Sequence, residues 1–212
     1  LACEFARRGF RVVALSFFDR DGPVRAQLEA AGVECDGLGV GHRSRLRRVG
    51  LRWEVRRWLQ RHGPAVLHLH HGVTAIRAAR VARACGVPRI VLTEHSSRQL
   101  RAEPRYRRAV RRALPALDRL TVVNDELRTY FASEFDFPTD RVSVIGNAVN
   151  PAYFSIARDA AARAALGLDG AHVLAFVGRL VPEKSVDVLL DALSRARRVC
   201  GSIHQHLHRV TA

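Results

Sequence analysis

Ala65-Val66-Leu67-His68-Leu69-His70-His71, then residues 74–85, then Arg89-Ile90-Val91-Leu92-Thr93, is the stretch that decides the fold. The outer pieces are apolar runs of strand length. The middle piece has helical composition and stops at Gly86-Val87-Pro88. Strands that are apolar throughout, and so buried on both faces, separated by helices, predict a parallel sheet covered on both sides.

The same alternation continues in both directions. Upstream, residues 11–18 form an apolar strand candidate, Gly22-Pro23 starts a helix over 24–31 closed by Gly32, and Val33-Glu34-Cys35 is a short strand. Residues 44–61 place Leu46, Val49, Leu51, Trp53, Val55, Trp58 and Leu59 between arginines, an amphipathic stripe ended by His62-Gly63-Pro64. Downstream come a basic helix over 104–114, a strand over 119–123, a helix from the Asn124 cap to about Glu134, and a strand over 141–145. The predicted class is α/β, a Rossmann-like, doubly wound parallel sheet. After Phe154 the pattern restarts. A helix over 159–166 and a strand over 171–177 lead to a helix with Val186, Leu189, Leu190 and Leu193 on one face. The expected organisation is therefore a first domain over 1–150, the start of a second Rossmann-like domain over 151–198, and an irregular tail over 199–212.

In such sheets ligands bind beyond the carboxyl ends of the strands. His70-His71, Glu94-His95, Asn124-Asp125 and Asn147 all fall at those ends, although each alone reads equally well as loop polarity. The loop Gly178-Arg179-Leu180-Val181-Pro182-Glu183-Lys184 carries the clearest chemistry. Gly178 lets a ligand approach the backbone, and Pro182 suits a first helical turn. Arg179 and Lys184 would flank a helix N-terminus that already favours anions, a clamp suited to a diphosphate. A solvated Arg and Lys on an ordinary strand–helix loop is the plainer alternative.

The strings FVGRLVPEKSVDVLLDAL, VSVIGNAVNPAYF, VLHLHHG and IVLTEHS, in their order, resemble the family 4 glycosyltransferases. These are retaining, nucleotide-sugar-dependent enzymes of GT-B fold. The resemblance implies two Rossmann-like domains facing a cleft, with the acceptor on the first and the sugar nucleotide mainly on the second. It implies that Gly178, Arg179 and Lys184 hold the donor diphosphate, neutralising the leaving group without a metal or other cofactor. His95 corresponds to the histidine near the donor sugar and would be catalytic. Asn147, His71 and Glu94 would border the cleft or its turns. The implied partners are a nucleotide-sugar donor and a glycan or lipid-linked acceptor, as in cell-envelope polysaccharide synthesis. The implied location is the cytoplasm, with peripheral contact at the inner face of an anionic membrane. Several positions depart from the family pattern: Gly146 stands for Pro, Ala148 for Gly, Asn150 for Asp, and Ser185 for the Gly after Lys. The family's glycine-rich loop would lie before Leu1 and its E-x(7)-E region well past Lys184. The expectation is thus a fragment, inactive alone, of an active parent.

Composition narrows the alternatives. Among 212 residues, 48% are apolar and 26% charged, an ordinary globular mixture able to bury roughly 70% of its unfolded surface. Cys3, Cys35, Cys85 and Cys200 show no C-x-x-C pairing, which disfavours a disulfide framework or zinc ribbon and fits reduced thiols. There is no Met, no signal-peptide pattern, and no apolar run of about 18 residues. Lys+Arg number 35 against 20 Asp+Glu, a net charge of +15, and Lys184 is the single lysine. Two readings stand: attraction to polyanions, or arginine-rich solvated helix faces. A basic nucleic-acid- or anionic-membrane-binding α/β module without catalysis is the competing function. Specific nucleic-acid binding would want aromatics interleaved with the charge, and only 7% of residues are aromatic. Trp53 and Trp58 are about 140° apart on a helical wheel and are expected to pack their helix on the sheet. His204, His206 and His208 alternate in the tail, where an irregular end is expected over a metal site.

Overall fold

The computed structural model describes residues 1–17, 22–39, 45–70, 72–149, 160–168 and 173–200. The chain divides into two compact units, Leu1–Val149 and Asn150–Ala212. The first unit runs α1 (Ala2–Arg7), β1 (Val13–Ser16), α2 (Pro23–Ala30), β2 (Glu34–Gly37), α3 (Arg45–His62), β3 (Val66–His70) and α4 (Val73–Ala84). It continues through β4 (Arg89–Glu94), α5 (Ser97–Ala102), α6 (Pro104–Ala113), β5 (Arg119–Val122), α7 (Asp125–Phe135) and β6 (Val142–Val144). Every ladder is parallel, as the doubly apolar strands predict. β1 pairs with β2, and β3-β4-β5-β6 form a second sheet in that order. Among the described residues no ladder joins the two sheets.

Burial follows position in the four-stranded sheet. Ile90 and Leu92 on β4, and Leu120 and Val122 on β5, are fully buried, whereas Ser143 and Val144 on the outer strand β6 are exposed. Over this sheet α4 contributes Ile76, Ala79 and Ala82, α6 contributes Tyr106 and Val110, and α7 contributes Leu127 and Phe131. Each large apolar side chain removed from water is worth about 1.5–3 kcal/mol. The alanine face of α4 lets that helix lie close to α6 and β3. This burial sets the sheet's register, because a one-residue slip would turn the apolar set outward.

Many arginines have structural partners. Arg83 donates to the Ala116 carbonyl at 2.9 Å and to Asp118 Oδ2 at 2.5 Å, while Asp118 Oδ2 also accepts the Ile90 amide at 2.7 Å. Arg141 donates to the carbonyls of Leu117 and Asp118, Arg119 to that of Asp140, and Arg111 to that of Glu134. Arg101 lies 4.8 Å from the Tyr130 ring centroid and Arg141 5.0 Å from that of Phe137. Between polyanion attraction and solvated faces there is therefore a third use of the charge: guanidinium forks satisfy carbonyls left open where helices end and strands begin. Five donors on one planar group suit that task.

Trp58 and Trp53 behave differently, as their angular separation allows. Trp58 is buried and its Nε1 donates to Asp36 Oδ2 at 2.6 Å. Trp53 is 61% exposed under the Arg57 guanidinium, so the expectation that both pack on the sheet holds for Trp58 alone.

In the second unit α8 spans Ala160–Ala165 and α9 spans Val186–Cys200. α9 continues to Cys200, two residues into the stretch expected to be irregular from 199. The run expected as a strand differs more. Residues 173–177 take part in no ladder among the described residues, and Leu174 and Val177 are 61% and 96% exposed. A strand exists only through hydrogen bonds to a neighbour, so an apolar strand-like sequence without a described partner stays irregular. The alternating tail histidines lie outside the described residues.

Candidate functional site

The parallel register brings the polar clusters to one edge of the four-stranded sheet. His70 stands opposite Thr93, Glu94 opposite Val122, and Val122 opposite Val144. His70, Glu94-His95, Asn124 and the segment containing Asn147 therefore leave their strands on the same side, the carboxyl edge. Asn124 caps α7, its Oδ1 accepting the Leu127 amide at 2.9 Å, as the sequence predicts. Asn147 is exposed in the extended segment after β6. His71 lies outside the described residues.

Three imidazoles line this edge. His68 and His70, two apart on β3, share a strand face with ring centroids 4.3 Å apart. The His70 and His95 rings stack at 6.0 Å with 21° between their planes. His68 Nε2 lies 2.7 Å from Thr93 Oγ1. Burial, and then the neighbouring His70 and His95, push the His68 pKa down to about 4. Burial, followed by His95, also lowers that of His70. Both are therefore neutral near pH 7 and offer a donor and an acceptor each.

Beneath the exposed His95 lies Glu94, which is fully buried. Its Oε1 accepts the amides of His95 at 2.9 Å and Ser96 at 3.0 Å. Its Oε2 accepts the hydroxyl of buried Tyr106. Gly72 has φ +126°, a backbone state that a side chain would strain. Hydrogen bonds thus run from Tyr106 on α6, through the Glu94 carboxylate, to the turn after β4. It fixes the backbone that presents His95. Burial first, and then the Glu94 hydrogen bond, raise the Tyr106 pKa far above its ordinary value, so the phenol remains a donor. The Glu94 carboxylate faces two amides of the turn and a phenol.

Sequence reasoning missed His68 and Tyr106. Two signals were available: the period-two repeat of His68 and His70, and a lone tyrosine inside a basic helix. What neither signal could supply is the partner, since Tyr106 meets Glu94 only through packing of α6.

The second unit holds the remaining residues. Pro182–Lys184 is a single 3-10 turn, followed by Ser185 at φ 49°, ψ 41°, and only then by α9. Lys184 therefore precedes the α-helix instead of sitting in its first turn, because the left-handed Ser185 breaks the helical path. Pro182, expected in the first turn of that helix, opens the separate 3-10 turn instead. Arg179 and Lys184 are exposed, and among the described residues neither carries an ion pair. A Cβ built on Gly178 would stand 3.1 Å from the Phe176 ring. The glycine thus has a local packing reason.

The family described as Glycosyltransferase Family 4 matches residues 1–153. The chain is 32% identical over 157 residues to a D-inositol 3-phosphate glycosyltransferase of Stackebrandtia nassauensis, covering 68% of this chain and 35% of that protein. It is 32% identical over 144 residues to the protein of the same name from Frankia alni, covering 63% of this chain and 35% of the relative. The chain thus spans about a third of the length of the curated relatives it matches. A solved glycosyltransferase of Rickettsia africae superposes with TM-score 0.62 at 13% identity, over 93% of this chain and 52% of that one. A UDP-GlcNAc 2-epimerase of Neisseria meningitidis superposes with TM-score 0.51 at 14% identity, over 69% of this chain and 43% of that one. At these identities the two structures speak to the fold alone.

Proposed function

The chain belongs to glycosyltransferase family 4, and from that premise we propose that the whole protein moves a sugar, with retention, from a nucleotide-diphosphate donor to a glycan or lipid-linked acceptor. The activity is assigned to the whole protein, not to this chain by itself. The observation that carries the reading is the convergence of His70, His95 and the Glu94–Tyr106 scaffold on the carboxyl edge of a parallel sheet. In the Leu1–Val149 unit, His95 faces the reacting sugar and the neutral imidazoles of His68 and His70 border the acceptor. In the Asn150–Ala212 unit, Arg179 and Lys184 bind the donor diphosphate, with Gly178 at the start of their loop. Breaking the bond from the anomeric carbon to the diphosphate oxygen places negative charge on the leaving nucleoside diphosphate. A guanidinium and an ammonium stabilise that charge as it develops, without a metal. The surface arginines support peripheral contact with anionic membrane at the cytoplasmic face.

The test is donor binding and transfer of radiolabelled sugar from UDP- and GDP-sugars, for the protein and its R179A and K184A variants. Each variant is expected to lose at least tenfold in donor affinity or turnover, the scale of one charge-assisted contact. Donor affinity and turnover equal to the parent's in both variants would overturn the assignment.

A further inference from the structure

A second cluster of chemistry-bearing side chains lies on the two-stranded sheet, away from the ladder that holds His70 and His95. Glu34 and Asp36 are two residues apart on β2 and therefore share a face. The last turn of α3 brings His62 against them: Nε2 is 2.9 Å from Asp36 Oδ2 and Nδ1 is 3.7 Å from Glu34 Oε1. One donor atom from each of the three residues lies within 4.8 Å of the others. The His62 side chain is only 6% exposed, its ring packed against Trp58 with centroids 4.6 Å apart and planes tilted by 36°. Yet Nε2 has no hydrogen-bond partner among the described residues, because Asp36 Oδ2 stands close but off its bonding direction. A buried ring nitrogen and a carboxylate oxygen that approach without bonding each other are arranged to share a third atom. Trp58 Nε1 donates to the same Oδ2 at 2.6 Å and holds the carboxylate in place, as outer partners of metal ligands do.

We propose that Glu34, Asp36 and His62 form a binding site for a divalent transition metal of the zinc class, tying β2 to the C-terminal turn of α3. One imidazole and two carboxylates match zinc in ligand type, and three protein ligands leave a fourth position for water. The site sits at the carboxyl end of a helix, where the backbone dipole favours a cation. Arg11 brings positive charge to the same group: its Nη2 donates to Glu34 Oε2 at 3.2 Å and lies 3.5 Å from His62 Nδ1. Arg11 is 67% exposed, so it can swing away as the metal enters.

The experiment is isothermal titration of the 212-residue chain with zinc, and with magnesium as the oxygen-preferring control. The chain carries alanines at His204, His206 and His208 so that the tail cannot bind the ion. One saturable zinc equivalent is expected, with magnesium producing no comparable heat. Asp36→Asn, which keeps an acceptor for Trp58, and His62→Gln should each weaken zinc at least tenfold. Arg11→Ala should strengthen it by about threefold or more, since a competing charge is removed. Circular dichroism of each variant confirms the fold, and the gain in R11A does not depend on any ligand being deleted. Absence of saturable zinc binding overturns the proposal, as does zinc affinity within tenfold of the parent in either D36N or H62Q.

Discussion

Replacing Tyr106 by Phe removes a single oxygen from a buried network, and its effect can be worked from the contacts. The hydroxyl donates to Glu94 Oε2, and both residues are fully buried. A hydrogen bond to a charged group contributes about 1.5–3 kcal/mol, and a buried group left without its partner costs a similar amount. Two acceptances at Glu94 Oε1 remain, from the His95 and Ser96 amides, so the carboxylate is not stranded. The expected loss is about 2–4 kcal/mol, with the pair as its main source. Urea unfolding followed by Trp58 fluorescence reads it: with a slope near 2 kcal/mol per molar, the midpoint falls by about 1–2 M. A cycle with Glu94→Gln should show the two substitutions coupled, by about 1 kcal/mol or more. A midpoint within about 0.25 M of the parent would refute the claim that this hydrogen bond anchors the turn presenting His95.

Two further outcomes follow from local geometry. Ser185 sits at φ 49°, where the resemblance leads one to expect glycine, so Ser185→Gly relieves strain and should stabilise the chain by about 0.5–1 kcal/mol, raising Tm by about 1–3 °C; no increase would refute the strain. His68 has an ordinary pKa of 6.5 when unfolded and about 4 when folded, so the unfolded chain takes up a proton that the folded chain refuses. Stability is full above pH 6.5 and is lost as pH falls toward 4, by roughly 1–2 kcal/mol after allowance for solvent at a half-buried ring. Urea midpoints at pH 7 and 4.5 should converge in His68→Gln relative to the parent, and an unchanged difference would contradict the linkage.

The sequence alone determined the order of strands and helices from β1 to β6, apart from the short helix α5, together with their parallel pairing and the edge where the polar clusters gather. These follow from local information: apolar runs of strand length, glycine and proline stops, and the Asn124 cap all act within a few residues. Strand limits were legible within one or two residues, and the place of His95 with them. The tertiary structure decided which side chains meet. Tyr106 is a lone aromatic in a basic helix until packing of α6 sets it on Glu94, and His62 reads as a helix stop until α3 lays it over Glu34 and Asp36. The apolar run at 173–177 failed in the opposite sense, since strand propensity forms no ladder without a neighbour to bond. Composition fixes how many arginines there are, but whether a guanidinium faces water or a backbone carbonyl depends on where distant turns come to rest.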